Sequence, residues 1–400
     1  MTIAGDSVCG NAIPCYNIAH MLTTPPLSLY IHFPWCIRKC PYCDFNSHTL
    51  KEDLPEKQYI DTLIKDLTLD LSSSNNRTIE TIFLGGGTPS LFSATAMAYL
   101  FEGLNQHLNF AEDIEITLEA NPGTVEYQRF ADYRAIGINR LSIGIQSFQA
   151  DKLKTLGRIH NSEEAINAAQ TAHKAGFTNF NLDLMHGLPG QTLQEAIADI
   201  TTAIQLAPTH ISWYQLTLEP NTLFHKFPPA LPADDLIWDM QEKGKELLAQ
   251  AGFQQYEISA YSQPLRQCHH NVNYWQFGDY LGIGAGAHGK MTAINKQTIT
   301  RSWKHKNPKD YLAAHHSFIS ESKSIPKNEL AFEFMLNALR LYQTIPVKLF
   351  EERTGLVLSD IAAGLQNAQD KGLIHWDKTH IIPTDLGRRF YNDLVEIFLI

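Results

Sequence analysis

Short apolar runs separated by amphipathic stretches set the rhythm of the first 220 or so residues. The runs Ser28–Phe33, Thr81–Leu84, Ile114–Glu119, Arg140–Ile145, Phe180–Leu184 and Ile211–Leu216 are mostly β-branched, aromatic or leucine-rich and predict strands. Helices are predicted between them, one being Glu163–Lys174, capped by Asn161 or Ser162 and stopped near Gly176. A degenerate repeat supports the alternation. Ala135-Ile136-Gly137-Ile138, Ala175-Gly176-Phe177 and Ala251-Gly252-Phe253 each read as a helix end, a glycine cap and then a strand, the third leading to Tyr256–Ile258. Such units imply parallel strands joined by helical crossovers, in a partial barrel or an open doubly wound sheet.

Polar residues gather at the carboxyl ends of these strands. Cys36–Cys43 follows the first strand and Gly85-Gly86-Gly87-Thr88 the second. Glu119 and Gln146 end the third and fourth, Asp183 and His186 the fifth, and Gln215 and Thr217 the sixth. One polar strand end is unremarkable; six in succession point to a shared site at one mouth of the barrel.

Beyond about residue 220 the pattern changes. Pro220–Pro232 is proline-rich and reads as an ordered loop, Leu236–Ala251 as a helix, and Gly278–Gly289 as a glycine-rich turn region. Helices are then expected over Glu329–Tyr342, Val347–Thr354 and Leu358–Lys371, strands near Ile374 and Ile381, and a last helix over Thr384–Phe398. Helices followed by a small hairpin resemble a winged helix. The chain's net charge of −10 argues against nucleic acid as the partner and favours a structural cap. No apolar run is long enough to span a bilayer, although the tail Leu394–Ile400 could rest on a membrane surface or a partner. Met1–Thr24 lacks the basic start and continuous apolar core of a secretory signal. It reads as a loose extension within a segment 1–26. Met21 is a second candidate start, which would remove Cys9 and Cys15.

Of the six cysteines, Cys36, Cys40 and Cys43 crowd into eight residues. Without a secretory signal, such spacing reads as metal or redox chemistry in the cytoplasm rather than a disulfide framework. Three thiolates on a loop leaving a strand can ligate three irons of a 4Fe–4S cubane and leave the fourth open. Structural zinc wants four ligands, usually from paired Cys-x2-Cys units; inert thiols are the other alternative.

Cys36-Ile37-Arg38-Lys39-Cys40-Pro41-Tyr42-Cys43 resembles the radical-SAM signature CxxxCxxC with its aromatic before the third cysteine. From about Leu27 onward the chain resembles the oxygen-independent coproporphyrinogen oxidase group of that superfamily, and within it the heme-chaperone branch. Phe45 stands where the oxidases carry a fourth cysteine, and their N-terminal substrate segment has no clear counterpart in Met1–Pro26. The resemblance implies an α/β fold: a partial (β/α)6 radical-SAM barrel over 27–235, an α/β extension over 236–310, and a winged-helix-like domain over 311–400.

It also implies S-adenosylmethionine (SAM) contacts at Gly86, Gly87, Thr88, Glu119, Gln146, Arg158 and Asp183. Carboxylates suit ribose hydroxyls, and the forked guanidinium of Arg158 suits a carboxylate. Tyr30 aligns with a SAM-contacting tyrosine of the family and reads equally as a core aromatic. His270-Asn271-Val272-Asn273-Tyr274 matches the HNxxY pattern proposed to hold heme in the chaperone branch. His270 and Tyr274 offer competent iron ligands, with Cys268 and His269 adjacent. From the residues alone this segment reads as a polar surface loop. His288 lies where oxidase relatives contact a second SAM and is left unassigned, while His32 and His48 are expected to shape the cluster loop. The implied function is a heme chaperone carrying a 4Fe–4S cluster and SAM, with heme and heme-dependent apo-proteins such as respiratory enzymes as partners; the cluster and SAM would be structural or regulatory, and a homodimer is among the expectations. Two enzymatic alternatives stand beside it: decarboxylation of coproporphyrinogen III propionates, and radical-SAM chemistry on another substrate.

Overall fold

The computed structural model describes residues 22–124 and 127–399; the expectations for Cys9, Cys15 and Met21 lie outside them. Six parallel strands form the heart of the molecule: β1 (Leu27–Phe33), β2 (Thr78–Gly86), β3 (Asn109–Ala120), β4 (Arg140–Gln146), β5 (Phe180–His186) and β6 (His210–Gln215). They pair in sequence order and all in parallel. Helices connect them, as parallel pairing requires. Helix Ser162–Lys174 starts at Asn161, whose side chain and that of Glu164 form a reciprocal capping box, and ends before Gly176 at φ +86°.

Each strand alternates. Leu29, Ile31, Ile82, Leu84, Leu118, Leu141, Ile143, Leu182, Leu184 and Ile211 are fully buried under the helices. The intervening Ser28, Tyr30, Thr81, Phe83, Glu115, Glu119, Ser142, Asp183 and Ser212 face the lumen, where their mutual hydrogen bonds and ring contacts lie. This period of two corrects the reading of the fifth and sixth strand ends. Gln215 and Thr217 are exposed, and His186 packs its ring on Trp213 at 4.5 Å on the outer face. Ser212 and Tyr214 take the lumen positions instead.

The sheet continues beyond the barrel at both edges. β7 (Gln254–Glu257) and β8 (Ala260–Ser262) form a hairpin, of which β8 pairs antiparallel with β6 and β7 is the edge. The third helix–glycine–strand unit therefore does not extend the parallel array, because the two residues between β7 and β8 are too few for a crossover. At the other edge the expected glycine-rich turn contains β9 (Asp279–Ile283), which runs parallel to β1, followed by β10 (His288–Ala293), β11 (Thr298–Lys304) and β12 (Ile319–Ser324), all antiparallel. Gly282 is needed there, since a Cβ would lie 1.9 Å from the His288 carbonyl oxygen.

A second hydrophobic core gathers residues 330–398 with Leu22, Phe277 and Ile299. Its helices include Leu330–Ala338, Val347–Thr354 and Leu358–Asp370, around a small sheet of Ile345–Pro346, Ile374–Trp376 and His380–Pro383. The expected last helix is two, Asp385–Arg389 and Tyr391–Glu396, parted at Phe390. Leu394, Val395 and Phe398 are buried in this core, so most of the apolar tail is already covered and Leu399 is its exposed apolar residue among those described. Leu22 and Thr23 are tied down as well: Leu22 is buried, and the Thr23 amide donates to the Glu352 carbonyl at 3.0 Å. No helix among the described residues is long and apolar enough to cross a membrane.

Candidate radical-SAM centre and adjoining cavity

The cysteine loop leaves β1 and is braced on every side. Trp35–Cys36 bridges to His48–Thr49. Lys39 Nζ donates to the carbonyls of Phe45 and Ser47 at 3.1 and 3.2 Å. Asn46 Nδ2 donates to the carbonyls of Ala285 and Lys306 at 2.8 and 2.9 Å. His32 Nε2 meets the Asn46 carbonyl at 2.8 Å, so His32 and His48 do shape the loop. The three thiols are unpaired and half-buried. Burial pushes Cys36 and Cys43 up, against hydrogen bonds from Thr88 and Ser47 respectively. Among the described residues no three His, Cys, Asp or Glu side chains close on one metal ion.

A cavity of about 440 Å³ opens over this loop at the carboxyl ends of the strands. Cys36, Cys40, Cys43, Gly86, Gly87, Thr88, Glu119, Gln146, Arg158 and Asp183 all line it. The glycines are sterically required: a Cβ on Gly86, at φ +112°, would meet the His32 ring at 2.5 Å, and one on Gly87 the Trp35 carbonyl at 2.5 Å. Gln146 adopts φ +71°, uncommon for a side chain of its kind, and its Oε1 accepts the Tyr214 hydroxyl at 2.7 Å. Ser142, Ser212 and Tyr214 also line the cavity and went unnamed in the sequence. The alternation in Arg140-Leu141-Ser142-Ile143-Gly144 and His210-Ile211-Ser212-Trp213-Tyr214 carries the signal for them.

The cavity holds two half-buried carboxyl groups, both raised by desolvation. Glu119 is pushed up to about 8, first by burial and then by Asp183, although Oε2 accepts the Gly86 amide at 3.0 Å. Asp183 is raised by burial, against hydrogen bonds from Asn181 at 2.7 Å and Ser142 at 3.1 Å. Arg158 donates to the Gly144 carbonyl at 2.7 Å and to the Cys40 sulfur at 3.7 Å, while its buried Nε has no partner. A ligand bearing an ammonium group, hydroxyls and a carboxylate would complete these groups, and SAM carries all three.

Tyr30 is placed elsewhere. It lines an adjoining cavity of about 660 Å³ with His48, Tyr274, Tyr280, His288 and Lys306, and the two cavities share Cys43, Phe45, Ser47, Gly86 and Glu119 as walls. The HNxxY segment is not a surface loop but a short helix, His269–Trp275, packed against β1, β2 and β9. It closes the lower end of the lumen. His270 is 1% exposed; its Nδ1 meets Thr81 Oγ1 at 2.7 Å and its Nε2 the Tyr274 hydroxyl at 2.8 Å. Thr81 donates onward to Ser28 Oγ, which fits a neutral ring with the proton on Nδ1. Burial, then Arg140, lowers His270 to about 3. His270, expected to contact heme, has both ring nitrogens hydrogen-bonded here, and of the HNxxY residues it is Tyr274 that lines the adjoining cavity. Cys268 is fully buried beside Glu115, and His269 is exposed.

Comparison with known proteins agrees with this fold. The radical SAM superfamily model matches residues 30–203, and that of the HemN C-terminal domain residues 325–390. The heme chaperone HemW of Haemophilus influenzae is 52% identical over 379 residues, covering 94% of this chain and 98% of its own length. HemW of Escherichia coli is 50% identical, covering 95% and 100%, and HemW of Bacillus subtilis 32%, covering 93% and 99%. Among solved structures, the radical-SAM coproporphyrinogen III oxidase HemN of Escherichia coli superposes with a TM-score of 0.80 at 22% identity, covering 95% of this chain and 92% of that one.

Proposed function

The chain belongs to the HemW family of heme chaperones, built on the radical-SAM fold, and from that membership we propose that it binds heme and delivers it to heme-dependent apo-proteins, respiratory enzymes among them. Cys36, Cys40 and Cys43 would hold a 4Fe–4S cluster, which supplies an open iron for the amino and carboxylate groups of SAM. Gly86, Gly87 and Thr88 offer backbone and hydroxyl groups to the SAM amino-acid end. Glu119 and Asp183 take its ammonium and ribose hydroxyls, Gln146 flanks them, and Arg158 takes its carboxylate.

One observation carries the reading: the cavity of the cluster loop shares a wall with a second cavity lined by Tyr30 and the HNxxY tyrosine. Heme in that second cavity contacts Tyr274, whose hydroxyl His270 holds from behind. A cluster and SAM beside the cargo can then sense or secure it without performing chemistry on it. Phe45, 59% exposed on the rim of both cavities, leaves that rim apolar where a fourth cysteine would make it reactive. The unpaired described cysteines suit the cytoplasm.

The test is anaerobic reconstitution of the full chain followed by heme titration and transfer to an apo-cytochrome. Stoichiometric heme uptake and its appearance in the acceptor are expected. Failure to bind heme at micromolar concentration contradicts the reading. Formation of protoporphyrinogen from coproporphyrinogen III with SAM and a reductant would favour the enzymatic alternative instead.

A further inference from the structure

The adjoining cavity contains a histidine whose ring is not hydrogen-bonded. His32 gives both nitrogens to Tyr30 and Asn46. His48 contacts Asn46 Oδ1 and the Lys306 backbone. His288, at the start of β10, is exposed and makes an edge contact with the Trp303 ring at 5.8 Å, and neither of its nitrogens is engaged among the described residues. Partial desolvation, then Lys306 and Arg301, lowers its pKa, which favours the neutral imidazole, the form that binds a metal.

Aromatic and basic side chains around it suit a flat, apolar, dianionic ligand, with Asp44 and Glu119 also on the cavity wall. Tyr274 and Tyr280 stand edge to face at 4.5 Å, and Phe45 is exposed on the rim. Lys306 lines the cavity with an ammonium that pairs with no carboxylate among the described residues. Lys39, by contrast, is committed to the loop carbonyls. A porphyrin presents an apolar face to aromatic walls, carboxylates to lysine and iron to imidazole.

Resting on the heme-binding reading above, we infer that His288 is the axial ligand of heme iron in this cavity and that Lys306 takes a propionate, His270 remaining a buried support for Tyr274. His288 sits at a strand end with its side chain exposed, so its replacement leaves the fold intact.

The experiment titrates heme into the full chain and follows the Soret band. The wild type is expected to show an imidazole-ligated spectrum. His288→Ala shifts the band and weakens binding by at least about tenfold, the lower bound set by what loss of even an outer-sphere partner costs a metal site. His288→Gly with added imidazole regains the wild-type spectrum. Lys306→Ala weakens binding without moving the band. If the wild type binds no heme, both this inference and the reading beneath it fail. If it binds heme and His288→Ala leaves the spectrum unchanged, or His270→Gln rather than His288→Ala removes the ligand, this inference alone is overturned. Loss of a SAM equivalent in His288→Ala with the heme spectrum intact overturns it too.

Discussion

The two ends of the barrel lumen are both lined with polar side chains, yet they are opposite in kind. At the lower end polar groups satisfy one another: Thr81 with Ser28 and His270, His270 with Tyr274, Asn273 with Ser28 and the Asp279 carbonyl, His210 with Asn181 and Tyr256. Glu115 accepts the His270 amide at 3.2 Å and faces Arg140 at 4.0 Å. At the upper end lie three free thiols and two carboxyl groups lifted by burial; Arg158 Nε there, like Arg140 Nε at the lower end, has no hydrogen-bond partner. A buried polar network with its partners in place is structure; a buried polar cluster without them is a binding site. The difference predicts that upper-end substitutions remove ligands at little cost in stability, and lower-end substitutions the reverse.

The largest expected effect is at the thiols. Cys40→Ser should abolish the cluster, read as iron content and visible absorption after anaerobic reconstitution, while the apo chain's unfolding midpoint hardly moves. Next is Glu115→Ala, which strands the fully buried Arg140. A loss of about 3–5 kcal/mol in denaturant unfolding is expected, as for a broken buried ion pair. A small loss there, or a selective loss of SAM binding, would break the contrast between the two ends. Asp183→Asn should weaken SAM binding by about tenfold, equivalent to about 1.4 kcal/mol, and change apo stability little, because the desolvation of the carboxylate is offset by its hydrogen bonds from Asn181 and Ser142.

A pH slope is expected as well. Glu119 is raised from 4.5 to about 8 in the folded chain. Between those values the folded state holds a proton the unfolded state has released, so stability falls as pH rises through that window. Glu119→Gln should flatten the slope. Binding of an ammonium-bearing ligand favours the carboxylate, so SAM affinity should rise with pH up to about 8 and binding should release protons, measurable by calorimetry in buffers of different ionisation enthalpy.

The upper end was legible in the sequence because its residues are chemically conspicuous and sit at strand ends. The Cys36–Cys43 spacing, the glycine triplet, Glu119 and Asp183 need only the strand pattern to be assembled. Ser212 and Tyr214 were lost by a one-residue shift in reading the end of β6, which moves attention to the wrong face. The lower end was hidden. Nothing in His270–Tyr274 distinguishes a polar surface loop from a helix inserted beneath the sheet, since its partners Thr81, Ser28 and Glu115 lie roughly 150 to 250 residues away. The same holds for β9, whose glycine-rich text reads as a turn until β1 supplies a parallel neighbour.

The most direct test is electron paramagnetic resonance of the anaerobically reconstituted, reduced chain with and without SAM. The account predicts a cubane signal that changes when SAM occupies its open iron, with Asp183→Asn requiring more SAM to produce the same change. A reduced cluster whose signal is indifferent to saturating SAM, or iron bound without a cubane, would contradict it.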